Sequence, residues 1–232
     1  MFATGLKLVC KRGLTSLAAL VLGFAILATA ASAAPVIDGQ VAPPAEWALA
    51  TVFGDNLPLF EPADPDFDLT SFYIEPGLSG LCIRWQVAGT PKQETGSNIV
   101  NYALQFDLTG DGLAEFWITR NPMSVAGIGS TAVCLEKNPF GAATVAPTHG
   151  TFALDSSAAT PAPEAVLPYA AFIEMGYSLP LMGIRVLAVI DGANADSDDV
   201  SGWENYEINV PEPATVGLLG LGLIGLVVRR KK

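Results

Sequence analysis

Short runs of alternating apolar and polar residues fill the middle of the chain, between about residues 34 and 210. Alternation places every second side chain on one face, which is typical of a strand with one buried side. Gly, Pro, Asn or Asp bounds most of these runs, and no long stretch has a helical period. We predict strands near 48–53, 70–75, 80–88, 99–107, 113–120, 130–136, 150–155, 168–175, 183–190 and 203–209.

Many short strands in one segment of about 177 residues predict an all-β fold, an antiparallel β-sandwich of the jelly-roll type. The clearest hairpin is 100–120, where two alternating runs flank the turn Asp107-Leu108-Thr109-Gly110-Asp111-Gly112. The segment 137–168 is rich in Ala, Pro and Thr, and we expect it to include a long loop.

The N-terminus has the pattern of a secretory signal peptide. Lys7, Lys11 and Arg12 precede an apolar run over 14–31, and Ala31-Ser32-Ala33 provides a small-x-small cleavage site. We therefore predict a signal peptide over 1–33, with the folded domain at 34–209.

The C-terminus has a second apolar run, over 214–228, in which Thr215 is the one polar side chain. Fifteen helical residues span roughly 22 Å, which is marginal for a bilayer core of about 30 Å. We predict a transmembrane helix here, with the basic tail that follows it on the cytoplasmic side.

The residues Pro211-Glu212-Pro213, the short apolar span and the tail Arg229-Arg230-Lys231-Lys232 together resemble the PEP-CTERM sorting signal of Gram-negative bacteria. The resemblance assigns 210–232 to this signal. It implies recognition by exosortase, a membrane protease-transpeptidase, release of the tail, and display on the envelope or secretion. It also implies a bacterium that builds exopolysaccharide. A simple C-terminal membrane anchor is the alternative.

The segment 34–210 holds 22 acidic and five basic residues, a formal charge of −17. Such a surface excludes nucleic-acid binding through phosphate contacts. It suits calcium, a cationic partner, or solubility alone. Cys82 and Cys134 remain after export to an oxidising compartment, so a disulfide between them on the outer face is one expectation and free thiols are the other.

Val36-Ile37-Asp38-Gly39, followed by Glu46-Trp47, resembles the opening of family 9 carbohydrate-binding modules. Later pieces that fit the same pattern are 81–85, 106–112, 173–181 and 191–199. The resemblance implies a β-sandwich that binds calcium and sugar.

Two acidic stretches are candidate calcium ligands. Asp107, Thr109 and Asp111 offer oxygens at alternate positions before Gly112, but the twelfth position is Ile118 instead of the glutamate of an EF-hand. Asp and Gly are also ordinary turn residues. The second stretch contains Asp191, Asp196 and Asp198, and a solvated loop is the more common outcome for such a stretch.

Four tryptophans are candidate sugar platforms. Trp85 alternates with apolar residues and is predicted to lie in the core, while Trp47 is expected to cover one end of the sandwich. Trp117 and Trp203 alternate with polar residues, so we predict an outward carbohydrate-binding surface at these two.

Catalysis has little support, because His149 is the chain's one histidine and no nucleophile motif is present. We therefore expect a non-catalytic carbohydrate- or exopolysaccharide-binding module supported by calcium. The alternatives are a structural matrix protein without a small ligand and, less favoured, a glycoside-active enzyme.

Overall fold

The computed structural model describes residues 35–41, 46–57, 62–95, 98–120, 132–137, 144–192 and 199–208. The predicted signal peptide (1–33), the predicted sorting signal (210–232) and its helix (214–228) lie outside these residues. Asp196 and Asp198 lie outside them as well.

The described residues form thirteen strands and one short helix. The elements are β1 (Thr51–Gly54), β2 (Leu69–Pro76), β3 (Gly80–Val87), β4 (Glu94–Thr95), β5 (Asn98–Ile99), β6 (Asn101–Asp107), β7 (Phe116–Thr119), β8 (Ala132–Lys137), β9 (Thr144–Ala153), β10 (Glu164–Pro168), α1 (Tyr169–Glu174), β11 (Leu181–Asp191), β12 (Asp199–Val200) and β13 (Glu204–Ile208).

Eleven strands make one antiparallel sheet in the order β1-β2-β3-β10-β9-β8-β7-β6-β11-β12, and β13 also pairs with β11. The prediction of an all-β antiparallel fold is confirmed. Both layers around the core come from this one continuous sheet. β4 and β5 pair separately.

The sheet folds over so that distant strands face each other across the core. Trp85 on β3 packs against Tyr102 on β6, with ring centroids 5.9 Å apart, and its indole N–H donates to the carbonyl of Ala103 at 3.1 Å. At the ends of the sheet, Phe53 of β1 meets the edge of Tyr206 of β13 at 5.8 Å. These contacts hold the fold closed.

The alternation that predicted the strands also selects their core face. On the hairpin β6–β7, Leu104 and Phe106 lie in the core with Phe116 and Ile118, as the sequence predicts. Trp85 is fully buried, so its predicted core position is confirmed.

One prediction for the second half of the chain is wrong, and another applies to only part of its segment. The run predicted as a strand over 168–175 is helix α1, which begins after Pro168 and buries Tyr169 and Phe172, three residues apart. The segment 137–168, expected to include a long loop, contains β9 and β10, and the connection between these strands is the loop 154–163. Pro147 and Gly150 lie inside β9, where they obscure the strand pattern.

Candidate functional site

The turn between β6 and β7 is organised by the carboxylate of Asp107. Its Oδ1 accepts hydrogen bonds from the amides of Thr109 (3.1 Å) and Gly110 (2.6 Å), and its Oδ2 accepts one from Gly112 (2.9 Å). The two glycines adopt φ values of 79° and 90°, which other residues rarely adopt. The loop therefore wraps around one buried carboxylate.

Three carboxylates converge in this loop. Oxygens of Asp107, Asp111 and Glu115 lie within 4.8 Å of one another. Glu115 also accepts hydrogen bonds from the amide of Leu108 (2.6 Å) and the hydroxyl of Thr109 (3.1 Å). The structure thus brings together the predicted loop residues Asp107, Thr109 and Asp111, and it adds Glu115 to the cluster.

Sequence reasoning missed Glu115 because it tested the twelfth position of the loop, Ile118. Counted from Asp107, Glu115 is the ninth position, which also supplies a ligand in calcium loops. The odd-numbered spacing 107, 109, 111 and 115 is the signal that would have identified it.

Arg185 on β11 provides a positive charge to the loop. Asp107 pairs with Arg185 in the sheet register, and its Oδ2 accepts a hydrogen bond from Nε at 3.0 Å and a second, short one from Nη2. Burial alone would raise the pKa of Asp107. The hydrogen bonds from Arg185 and from the amides of Gly112 and Gly110 outweigh burial, so this pKa lies below its usual value.

Asp191, a predicted calcium ligand, lies far from this loop. It pairs with Asn101 at one end of β6, whereas Asp107 lies at the other end. Six residues of strand separate the two aspartates by roughly 20 Å. The two acidic stretches therefore do not contribute to one common site.

The predicted tryptophans share the outward face of the sheet, the side opposite the main core. Trp117 lies across from Gln105, and Gln105 lies across from Leu187. The pairing of Val186 with Glu204 extends this row to Trp203. We call Trp117, Gln105, Leu187 and Trp203 together the tryptophan face.

Both indoles are half-buried and pack against one small apolar cluster, made by Ala103, Leu187 and Val189. Three steps between neighbouring strands separate the Cα atoms of Trp117 and Trp203 by roughly 14 Å. Arg185 connects this face to the acidic loop, because its guanidinium lies 5.4 Å from the ring centre of Trp203.

The predicted disulfide is not formed, and both cysteines are free and buried. Cys82 on β3 and Cys134 on β8 are separated by β10 and β9, which is roughly 14 Å of sheet. A disulfide needs Cα atoms within about 7 Å. Cys134 instead contacts His149, with 3.0 Å between Sγ and Nδ1.

Sequence reasoning also missed Glu164, a fully buried carboxylate on β10. It accepts hydrogen bonds from the amides of Asp38 (3.2 Å) and Gly39 (3.0 Å) and from the indole of Trp47 (3.1 Å). Trp47 is thus buried, but it lies against Tyr73 and Arg84 on the outward side of β2 and β3 and not over one end of the sandwich as predicted. Glu164 attaches the N-terminal segment to the sheet. A lone glutamate between Pro163 and Ala165 was the available signal.

Comparison with known proteins concerns the C-terminal end of the chain. Residues 209–232 match the PEP-CTERM protein-sorting motif. No curated protein and no solved structure matches the chain. The likeness to family 9 carbohydrate-binding modules stays a prediction.

The described residues thus define an all-β antiparallel domain, and the motif adds its class. The chain carries the PEP-CTERM sorting motif of exported surface proteins that exosortase, a membrane protease, processes. In the part of the chain that the structure describes, no helix combines the length and apolar character needed to cross a membrane.

Proposed function

We propose that the folded domain is a non-catalytic carbohydrate-binding module, displayed on the envelope of a Gram-negative bacterium after export by the predicted signal peptide. Its partner in this proposal is polysaccharide. The observation that supports it is the position of Trp117 and Trp203, which pack against the same apolar cluster on one outward face.

The chemistry of the tryptophan face suits a sugar chain. An indole ring presents an apolar face that stacks on the C–H face of a pyranose, and its edge stays polar. Gln105, half-buried between the two tryptophans, offers amide donors and acceptors for hydroxyl groups. A separation of roughly 14 Å suits several linked sugar units better than one.

Absence of catalysis is part of the proposal. The chain's single histidine lies against Cys134, and burial, together with the smaller effect of the Glu136 charge, raises the pKa of that thiol to about 11. A thiol with this pKa is not a nucleophile at neutral pH. The Cys134–His149 pair therefore offers no activated thiolate.

We also propose a structural Ca²⁺ in the loop of Asp107, Asp111 and Glu115. Converging carboxylate oxygens are the ligands that Ca²⁺ prefers. Arg185 competes for Asp107, so we expect weak binding, with a Kd of about 10⁻⁴–10⁻³ M as in other extracellular modules.

One observation favours the alternative, a structural matrix protein without a small ligand. Leu187 and Val189 are 6 % and 7 % exposed, so the tryptophans already serve to cover an apolar part of the sheet. Covering of this kind needs no sugar.

A glycan-array measurement on the full chain separates the two functions. The protein is held in a detergent without a sugar head group and tested with Ca²⁺ and with chelator. We expect binding that Trp117→Ala or Trp203→Ala weakens roughly two- to tenfold each. Leu78→Ala is the matched control, because Leu78 is 74 % exposed in the β2–β3 turn, away from this face.

Absence of binding to any glycan would reject the carbohydrate-binding module and leave the structural matrix protein as the function.

The calcium proposal has its own readout, the melting temperature. Millimolar Ca²⁺ should raise it, and the double change Asp111→Asn with Glu115→Gln should remove the rise. Equal melting temperatures in Ca²⁺ and chelator would reject the metal.

A further inference from the structure

We infer that the tryptophan face takes an uncharged glycan and rejects acidic polysaccharides. The inference rests on the proposed carbohydrate-binding function and adds the chemical class of its ligand. It follows from where the few cations of the domain lie.

The segment 34–210 has five basic side chains, and the structure describes all of them. Two are buried: Arg84 is 6 % exposed and lies over the ring of Tyr73, and Arg120 is 1 % exposed and donates to the carbonyls of Gln93 and Val100. Neither can reach a ligand on the outer surface.

Two other cations lie away from the tryptophan face. Lys92 pairs with Asp64 at 2.6 Å and with Asp66 at 3.0 Å. Lys137 follows Glu136, which lies across from Trp117, so alternation directs Lys137 to the opposite side, where it lies 5.8 Å from the ring of Tyr177.

Arg185 is the remaining cation, and it does lie beside Trp203. Its Nε and Nη2 both donate to Oδ2 of Asp107, a carboxylate with no exposed surface. An acidic sugar would have to compete with this buried pair for the guanidinium, and doing so would leave Asp107 buried without its cation.

Recognition of a carboxylate or sulfate normally uses a charge-assisted hydrogen bond from Arg or Lys. The tryptophan face offers indole rings and the amide of Gln105 instead, and the neighbouring loop carries Asp111 and Glu115. A formal charge of −17 on the segment adds repulsion to any polyanion. Uncharged hydroxyl groups meet none of these penalties.

The test measures binding of the full chain to three oligosaccharides of equal length at 20 mM and 300 mM salt. The probes are a neutral cello-oligosaccharide, an acidic alginate oligosaccharide and a cationic chitosan oligosaccharide. We expect binding of the neutral probe that is independent of salt and falls roughly two- to tenfold in Trp117→Ala and in Trp203→Ala. Leu78→Ala should bind as the wild type does.

Binding of the alginate probe that either tryptophan substitution abolishes would overturn this inference and leave carbohydrate binding intact. Binding of the chitosan probe alone, lost at 300 mM salt, would overturn it too, since charge and not stacking would then select the ligand. If none of the three probes binds, and the wider glycan array also shows no binding, the proposed function is rejected and the inference with it.

Discussion

At the scale of single residues, Asp107 makes more hydrogen bonds than any other described residue of the candidate site. It accepts hydrogen bonds from three loop amides and from Arg185, and it has no exposed surface. A buried carboxylate depends on such partners, because burial without them opposes its charge. Asp107 therefore fixes both the turn and the position of Arg185 beside Trp203.

Asp107→Asn should lower the free energy of unfolding by about 2–4 kcal/mol, because the neutral amide loses the charge-assisted pair with Arg185. Urea denaturation in the presence of chelator measures this loss. Asp111→Asn is the control in the same loop: Asp111 is exposed and accepts from the amide of Leu113 at 2.9 Å, so less than about 1 kcal/mol is expected. Equal losses in the two variants would contradict this account.

The raised pKa of Glu164 makes the protein less stable as pH rises, whereas the lowered pKa of Asp107 makes it less stable as pH falls. Burial raises the pKa of Glu164 from 4.5 to about 7, despite the hydrogen bonds from Gly39, Asp38 and Trp47. The folded protein therefore binds more protons than the unfolded chain between these pH values, and stability falls as pH rises through this window. Asp199, whose pKa burial raises from 3.8 to about 6, acts in the same direction.

We predict that the free energy of unfolding decreases by up to about 3 kcal/mol between pH 5 and pH 7.5, mostly through Glu164. Urea titrations at a series of pH values measure the slope. Glu164→Gln should flatten it, since the amide does not titrate. A slope unchanged by Glu164→Gln, or stability that rises with pH in this window, would show that Glu164 is not the group responsible.

At the scale of elements, alternation predicted strands wherever one face meets the core. The predicted strands at 80–88, 99–107 and 183–190 agree closely with β3, β6 and β11. It failed at α1, because a short apolar run such as Tyr169–Ile173 fits a buried strand and a helix equally well. It also misjudged Cys82 and Cys134, because the outward side of β3 and β8 is buried as well.

In the candidate site too, alternation predicted some features and could not predict others. Trp117 and Trp203 were predicted from alternation, and each lies on the outward face as expected. The position of Asp191 depends on strand length and register, which no local pattern contains. The role of Arg185 could not be predicted either, since it arises from pairing between residues 78 apart in the chain.

Gly150 shows how tightly neighbouring strands approach in this sheet. A Cβ at this position would lie 2.1 Å from the carbonyl oxygen of Val166 and 2.7 Å from Cγ2 of Val133. Gly150→Ala should therefore destabilise the protein by about 1–3 kcal/mol, measured by urea denaturation. In Gly54→Ala, on β1, the new Cβ meets nothing within 4 Å, and the loss should be smaller. Similar effects at both positions would contradict the packing described here.

At the scale of the whole molecule, charge is divided between the domain and the two termini. The full chain has a formal charge of −11, whereas the segment 34–210 alone has −17. By the positive-inside rule we expect the basic tail 229–232 to stay at the anionic cytoplasmic leaflet, and the same leaflet would repel the acidic domain. Removal of the tail by exosortase would separate the domain from its cationic anchor, which agrees with export to the surface.

The central claim is that the chain is exported and processed at its sorting motif, and one measurement tests it most directly. Intact-mass analysis of the protein recovered from the cell surface or medium should give a chain that begins at Ala34 and ends before Arg229. The triple change of Pro211, Glu212 and Pro213 to Ala should leave the tail attached and the protein in the membrane fraction. A wild-type surface protein that still carries Arg229–Lys232, or a triple variant with the wild-type mass, would contradict the account.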